Sequence, residues 1–232
     1  MNHLSPRLLS IVVPVYNEQA GIAGFHTSLE GELQKLSGLK FEIIYCDDGS
    51  TDGTLEQLQG LVREHANTRL IRLSRNFGKE LATTAGIHEA KGNAVITIDA
   101  DGQHPVELLP KFVERWQAGD KVVIGLRTDS RQAGFIKRVG SKLFYGLFNR
   151  FTHLQLVAGA TDFRLIDKAV QTEFTRLTEH NRITRGLIDW LGYERSYVVY
   201  TEKARLHDSA GYSFKKLTKL AIDSVISLSS SP

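Results

Sequence analysis

Apolar residues in this chain come in short runs that each end abruptly on polar ones. The runs are 8–16 (Leu-Leu-Ser-Ile-Val-Val-Pro-Val-Tyr), 41–46, 69–73, 94–98 (Ala-Val-Ile-Thr-Ile) and 121–125, and the fourth is rich in β-branched side chains. They are too short for helices and predict buried strands. The segments between them predict helices at about 19–36 and 54–65, from Lys79 to about residue 90, and behind Pro105, whose fixed φ suits a first helical turn. The turn at 47–54, Asp-Asp-Gly-Ser-Thr-Asp-Gly-Thr, supplies Ser, Thr and Asp side chains fit to cap the second helix. Strands alternating with helices predict an α/β chain with a mostly parallel, doubly wound sheet, whose ligands bind outside the carboxyl ends of the strands.

The polar clusters fall at those ends. Glu18, Asp48, Lys79, Asp99 and Asp101 come from four separate strand-to-helix turns. Side chains alternate along a strand, so Asp99 and Asp101 can point the same way. With the Gln103 amide they offer an oxygen-only ligand set of the kind Mg²⁺ or Mn²⁺ prefers, with positions left for water or a substrate phosphate. The same residues would also suit an acidic loop capping a helix. Asp48 can accept hydrogen bonds from a base or ribose. Lys79 can meet a phosphate as a point charge, or be a solvated lysine at a helix start. No Gly-x-Gly-x-x-Gly follows the first strand and no Gly-x-x-x-x-Gly-Lys-Ser/Thr is present, which argues against a dinucleotide dehydrogenase and a P-loop NTPase.

Composition narrows the partners. With 232 residues, 41% hydrophobic and 24% charged, the chain is long enough for one sizeable α/β domain, with or without an appendage. A net charge of +3 names no partner, and nothing points to nucleic acid. Cys46, the single cysteine, rules out an intrachain disulfide, and its place at the end of an apolar strand predicts a buried structural thiol. No stretch reaches the roughly 18 apolar residues of a membrane span. From 127 to 151, however, Arg127, Arg131, Lys137, Arg138, Lys142 and Arg150 face one acid, Asp129, and are interleaved with Phe, Leu, Ile and Val at helical spacing. That pattern suits an interfacial helix on anionic lipid, or an amphipathic helix packed on the domain. The tail from Phe214 repeats it. His104 is expected to shape the turn after Asp101, and Trp116 and Trp190 to lie in the core.

Four motifs in order, Val13-Pro14-Val15-Tyr16-Asn17-Glu18, the 47–54 turn, Asn76-Phe77-Gly78-Lys79 and Asp99-Ala100-Asp101-Gly102-Gln103-His104-Pro105, closely resemble the family 2 glycosyltransferases of GT-A fold. Gly125-x-Arg127, Thr161-Asp162-Phe163-Arg164-Leu165 and Arg185-Gly186-Leu187-Ile188-x-Trp190-Leu191-Gly192 extend the resemblance to polyprenyl-phosphate glycosyltransferases, the group of dolichol-phosphate mannose synthases and bacterial undecaprenyl-phosphate glucosyltransferases. It runs from about residue 8 to 232. It implies a Rossmann-like, mostly parallel sheet with helices on both faces, a catalytic domain over 1–210, and an amphipathic juxtamembrane tail over 211–232. Relatives continue from a similar Ser-x-x-Pro into membrane helices, so a cut-down domain or a natural short form is expected.

By the same resemblance, Pro14, Tyr16, Glu18 and Asp48 hold the nucleotide, joined by Lys79 and Asp99. Asp99, Asp101 and Gln103 serve Mg²⁺ or Mn²⁺ and the diphosphate, and Arg127, Arg138 and Arg205 handle phosphate groups. The chain departs from its relatives after Arg205: Asp208, Ala210 and Gly211 stand where an Arg-x-x-Gly-x-Ser-Lys-Tyr pattern has Gly, Ser and Lys, so a contact at Gly211 can only be through backbone. The implied activity is inverting, metal-dependent transfer of a hexose to a polyprenyl phosphate on the cytoplasmic membrane face. UDP-glucose is favoured over GDP-mannose as donor, and a membrane-anchored full-length form is expected, with a homo-oligomer left open. A processive synthase fits less well, because Phe112 replaces the glutamine of Gln-x-x-Arg-Trp ahead of Arg115-Trp116. A non-catalytic nucleotide-sugar-binding module is opposed by the intact Asp99, Asp101 and Gln103. Asp162 is placed beside the acceptor. A phosphate monoester has a second pKa of about 6 and carries little proton to remove at pH 7, so an orienting role is expected, with general base, helix cap or ion-pair partner as the other readings.

Overall fold

The computed structural model describes residues 7–128, 157, 159–178 and 184–201. Arg138, Arg205, most of the basic amphipathic stretch and the juxtamembrane tail lie outside them. The chain order is β1 (Arg7–Val15), α1 (Ile22–Leu33), β2 (Leu39–Asp47), α2 (Thr54–Glu64), β3 (Thr68–Arg72), α3 (Lys79–Glu89), β4 (Ala94–Thr97), a 3-10 turn (Val106–Leu108), α4 (Leu109–Gln117), β5 (Val122–Thr128), β6 (Ala160–Asp167), α5 (Lys168–Arg176), α6 (Thr184–Trp190) and β7 (Arg195–Thr201). One seven-stranded sheet carries them in the order β3-β2-β1-β4-β6-β5-β7.

Four of the six strand pairings are parallel, as the alternation of elements predicts. The other two belong to β6, which runs antiparallel between β4 and β5. Neither β6 nor β7 is evident in the apolar pattern. Because β6 runs backwards, its first residues arrive at the edge where β4 ends. Thr97 is paired with Arg164, so Asp162 lies two residues further along, beside the exit from β4.

Alternation along the strands divides the core into two layers. Leu9, Ile11, Val13, Ile43, Tyr45, Ile96, Phe163 and Leu165 face α1 and α4. Val12, Ile44, Cys46, Val95, Ile124 and Ile166 face α3, α5 and α6. Each fully buried aliphatic side chain contributes about 1.5–3 kcal/mol. The Cys46 thiol is buried, and that burial pushes its pKa up to about 12, as fits a structural thiol.

Two local expectations change. The segment after Pro105 begins as a 3-10 turn, and the α-helix starts at Leu109 with Pro110 in its first turn. Proline lacks an N–H and its ring crowds the carbonyl four residues back, so a continuous α-helix from Pro105 is not open to it. Trp116 is buried with Nε1 donating to Asp167 Oδ2 at 2.8 Å, but Trp190 ends α6 at 60% exposure and is not a core residue.

Helix α3 approaches the sheet closely at Gly86. A methyl group there would meet the Val12 side chain and lie 2.7 Å from Cys46 Sγ. Gly86→Ala should gain up to about 1 kcal/mol of helix propensity but lose about 1–3 kcal/mol to overpacking. We expect a lower urea midpoint at unchanged m-value. A midpoint equal to wild type would show that α3 can ride off the sheet without loss.

Candidate active site at the strand ends

The loops leaving β1 and β2 are tied to each other. Asn17 takes a left-handed conformation (φ 55°), which its short polar side chain tolerates. Its N–H donates to Ser50 Oγ at 3.0 Å and its Oδ1 accepts from Thr51 N at 2.8 Å. Glu18 N donates to Thr54 Oγ1 at 2.9 Å. Asp52 Oδ1 accepts from Thr54 N at 3.0 Å, so Asp52 is the residue of this turn that caps α2, while Gly53 at the N-cap position makes no side-chain bond. Pro14 lies past the last β1–β4 pair, where its missing N–H breaks no bond to β4. Tyr16 is exposed and Glu18 half-buried at the rim.

Asp48 is 2% exposed, and each of its oxygens holds one backbone N–H of the next loop: Phe77 N to Oδ1 at 2.8 Å and Gly78 N to Oδ2 at 2.9 Å. Gly78 has φ 98°, a conformation that favours glycine. The loop it turns delivers Lys79 as the first residue of α3.

Lys79 Nζ donates to Asp99 Oδ2 at 2.7 Å and to Asp162 Oδ2 at 2.9 Å. Three sequence-distant segments therefore meet at one ammonium group. Burial works against that charge, but Asp99 and then Asp162 outweigh it and hold Lys79 protonated, above its ordinary pKa. Burial would likewise raise Asp162; Lys79, by charge and hydrogen bond, and then Arg185 and Arg164 reverse this and hold the carboxyl below its ordinary value. Thr97 Oγ1 fixes the Asp162 carbonyl at 2.5 Å.

The Asp99–Asp101 turn is set by His104. Asp99 N donates to His104 Nδ1 at 3.2 Å, which places the ring proton on Nε2. His104 is buried and stacked on Phe163 at 5.3 Å; burial, first of all, lowers its pKa and keeps it neutral. Gln103 N donates to Asp101 Oδ1 at 3.0 Å across Gly102, whose φ is 75°. Asp101 and Gln103 are both half-buried at the turn. This hard, oxygen-only set fits Mg²⁺ or Mn²⁺. Asp99 fits as a contributor through the oxygen that Lys79 leaves open.

Arg127 stands half-buried at the end of β5, its N–H donating to Gly159 O at 2.8 Å. The motifs do not announce a support behind the acids. Arg164 is 2% exposed, pairs with Asp189 at 2.9 Å, and bonds the carbonyls of Thr161 and Arg185. Glu80 Oε2 accepts from Thr184 N at 2.8 Å. These contacts hold α6 against the start of α3. A small cleft between them is lined by Lys79, Thr83, Thr97, Asp162, Arg164 and Arg185. A sequence cue existed for Arg164 alone, a lone cation inside an apolar run.

Comparison with known proteins bears on the family and the fold. Residues 10–173 match the family described as Glycosyl transferase family 2. An uncharacterized glycosyltransferase of Synechocystis sp. is 37% identical over 226 residues, covering 97% of this chain and 70% of the relative. The bactoprenol glucosyl transferase of Shigella phage SfV is 34% identical over 224 residues, covering 97% and 73%. Among solved structures, glucosyl-3-phosphoglycerate synthase from Mycobacterium tuberculosis with Mn²⁺, UDP and glucosyl-3-phosphoglycerate superposes with a TM-score of 0.62 at 17% identity, covering 96% of this chain and 80% of that one. Mannosyl-3-phosphoglycerate synthase from Rubrobacter xylanophilus gives 0.61 at 17% identity, covering 95% and 72%. These likenesses are of fold, and the fold is GT-A.

Replacing Lys79 by Met should leave Asp99 and Asp162 facing each other with no cation between them. A carboxylate with a depressed folded pKa contributes stability that is fully present above its unfolded pKa, about 3.9, and is lost as pH falls through the folded value. In Lys79→Met the Asp162 titration should therefore move up, read by ¹³C NMR of the labelled carboxyl group, and the Asp162 contribution to acid-limb stability should shrink. An unchanged low titration would assign the depression to Arg164 and Arg185 instead.

Proposed function

The chain belongs to glycosyl transferase family 2 and is a glycosyltransferase, and from that premise we propose that it transfers glucose from UDP-glucose to a polyprenyl phosphate at the cytoplasmic face of a membrane. The observation that carries this reading is the meeting of Lys79, Asp99 and Asp162 beside Asp101 at the strand ends. The names of the bactoprenol glucosyl transferases support the acceptor and the sugar. The fold-mates bound to Mn²⁺ with UDP or UDP-glucose support the donor chemistry.

In this reading Pro14, Tyr16, Glu18 and Asp48 form the nucleotide rim. Asp48 keeps a lone pair on each oxygen for the base while it anchors the loop that carries Lys79. Asp99, Asp101 and Gln103 would hold Mg²⁺ or Mn²⁺, which when bound supplies positive charge for the leaving diphosphate. Lys79 adds a fixed cation at the same edge. Arg127 gathers phosphate from the end of β5, with Arg138 and Arg205 as its partners for the acceptor; arginine's forked donors suit that task.

The reaction is a single displacement: an acceptor phosphate oxygen bonds to the sugar C1 as the C1–O bond to the diphosphate breaks, inverting the centre. The nucleophile is already dianionic near pH 7. Asp162, anionic and bonded to Lys79, is a weak base, so it orients the acceptor and the cations around it. Membrane binding is assigned to the basic stretch from Arg131 to Arg150 and the tail from Phe214. No helix among the described residues is long and apolar enough to cross a membrane.

Asp101→Ala should abolish Mn²⁺-dependent binding of UDP-glucose in calorimetry, with GDP-mannose binding poorly even to wild type. Undiminished metal-dependent affinity in the variant would reject the ligand assignment, and preference for GDP-mannose would reject the donor. Asp162→Asn should keep donor binding, lower transfer, and leave the kcat/KM pH limb that follows acceptor phosphate ionisation. Disappearance of a separate carboxylate limb with a drop of roughly 10²–10⁴-fold would make Asp162 the general base.

A further inference from the structure

On the α1 face of the sheet, outside the strand-end site, three donor side chains converge. His26 and Glu30 stand four residues apart on α1, and so share one side of that helix. His65 comes from the carboxyl end of α2. One ligand atom from each lies within 4.8 Å of the others. His65 Nδ1 is 3.3 Å from Glu30 Oε1, His26 Nε2 is 3.9 Å from Glu30 Oε2, and the two imidazoles meet edge to face at 4.4 Å.

His26 itself points to a ligand. It is 2% exposed, its Nδ1 is 2.9 Å from the Tyr45 hydroxyl, and its Nε2 has no hydrogen-bond partner. A buried polar atom left unpaired is destabilising, and 3.9 Å is too long for Glu30 to satisfy it. With Nδ1–H donating to the Tyr45 oxygen, Nε2 presents a bare lone pair toward Glu30 and His65. Burial, then the nearby His65, lower the His26 pKa and favour the neutral ring; burial raises that of Tyr45 and keeps the phenol intact. A hydrogen bond to the far ring nitrogen is the usual way a ligating imidazole is oriented. The carboxylates of Glu30 and Glu64 add negative charge around the pair.

We propose that His26 Nε2, the Glu30 carboxylate and His65 Nδ1 bind a transition-metal dication, Zn²⁺ foremost, with a fourth position open to water beside the partly exposed His65. Donors held about 2.1 Å from a tetrahedral ion lie roughly 3.4 Å apart, so the observed separations need only a small inward rotation. Two imidazoles and one carboxylate suit Zn²⁺, whereas Mg²⁺ takes oxygen. The site is thus chemically distinct from the set at Asp99, Asp101 and Gln103. Its ion clamps α1 to the end of α2 and, through Tyr45, to β2. This inference stands apart from the transferase reading.

The test uses the full chain without an affinity tag, stripped by chelation and titrated with Co²⁺ in excess Mg²⁺. Wild type should take up Co²⁺ with visible d–d absorption, and Zn²⁺ should displace it. His65→Ala and Glu30→Gln, at partly exposed positions, should remain folded by circular dichroism yet lose affinity by about 10-fold or more, while Asp101→Ala should bind as wild type does. Zn²⁺ should raise the Tm of wild type but not of His65→Ala. No Co²⁺ band in wild type, or equal affinity in the two cluster variants, would overturn the site. Loss of the band in Asp101→Ala would place the ion at the strand ends and overturn it as well.

Discussion

One ammonium group, on Lys79, lets two carboxylates from different strands share an edge of the sheet. Asp99 leaves β4 and Asp162 opens β6, and alternation turns both toward the α3 layer. Two such anions repel each other unless a cation stands between them. Lys79 is 42% exposed, so solvent screens the pair and its worth lies in position more than in stability. That position is imposed from outside the site: Asp48 grips the backbone ahead of α3, Gly78 turns it, and Gly86 lets the helix lie close against Val12 and Cys46. The ends of β4 and β6 are thereby referred to the same atom.

The parts that could be read from sequence follow from local chemistry. Strands β1 to β5 are short apolar runs, and the polar turns behind them are rich in residues that bond their own backbone, as Asp52 and Asp101 do. These signals place Asp48, Lys79, Asp99 and Asp101 at one edge before any contact is known. Strand β6 hides because its apolar run is interrupted by Arg164, a residue that ordinarily marks solvent. Arg164 is buried because Asp189, 25 residues further on, neutralises it at 2.9 Å. A pairing across that distance leaves no periodic trace. Trp190 misleads in the opposite way, since an aromatic residue at a helix end is as easily exposed as buried.

The Arg164–Asp189 pair also shows how this site is supported. Both side chains are almost wholly buried; removing Asp189 would leave Arg164 without its ion-pair partner, which costs about 3–5 kcal/mol, whereas removing Arg164 would leave Asp189 the longer pair to Arg195 at 3.6 Å. Replacing both with apolar groups could retain the fold, yet it would release the Thr161 and Arg185 carbonyls that Arg164 holds. The pair therefore fixes where α6 sits relative to Asp162.

The reversed direction of β6 has a consequence for how such a protein can diversify. Strand β5 ends at Thr128 and β6 begins at Ala160 on the same edge of the sheet, the edge that carries Asp99 and Lys79, and the backbones are stitched there by Arg127 N to Gly159 O at 2.8 Å. The intervening chain departs and returns through one doorway. Its length and composition can drift without shifting the register of any strand, because both of its junctions are pinned. The sheet works as a socket whose two junctions are set by the strands themselves, so Asp99 and Asp162 keep their places at the edge whatever the insert is.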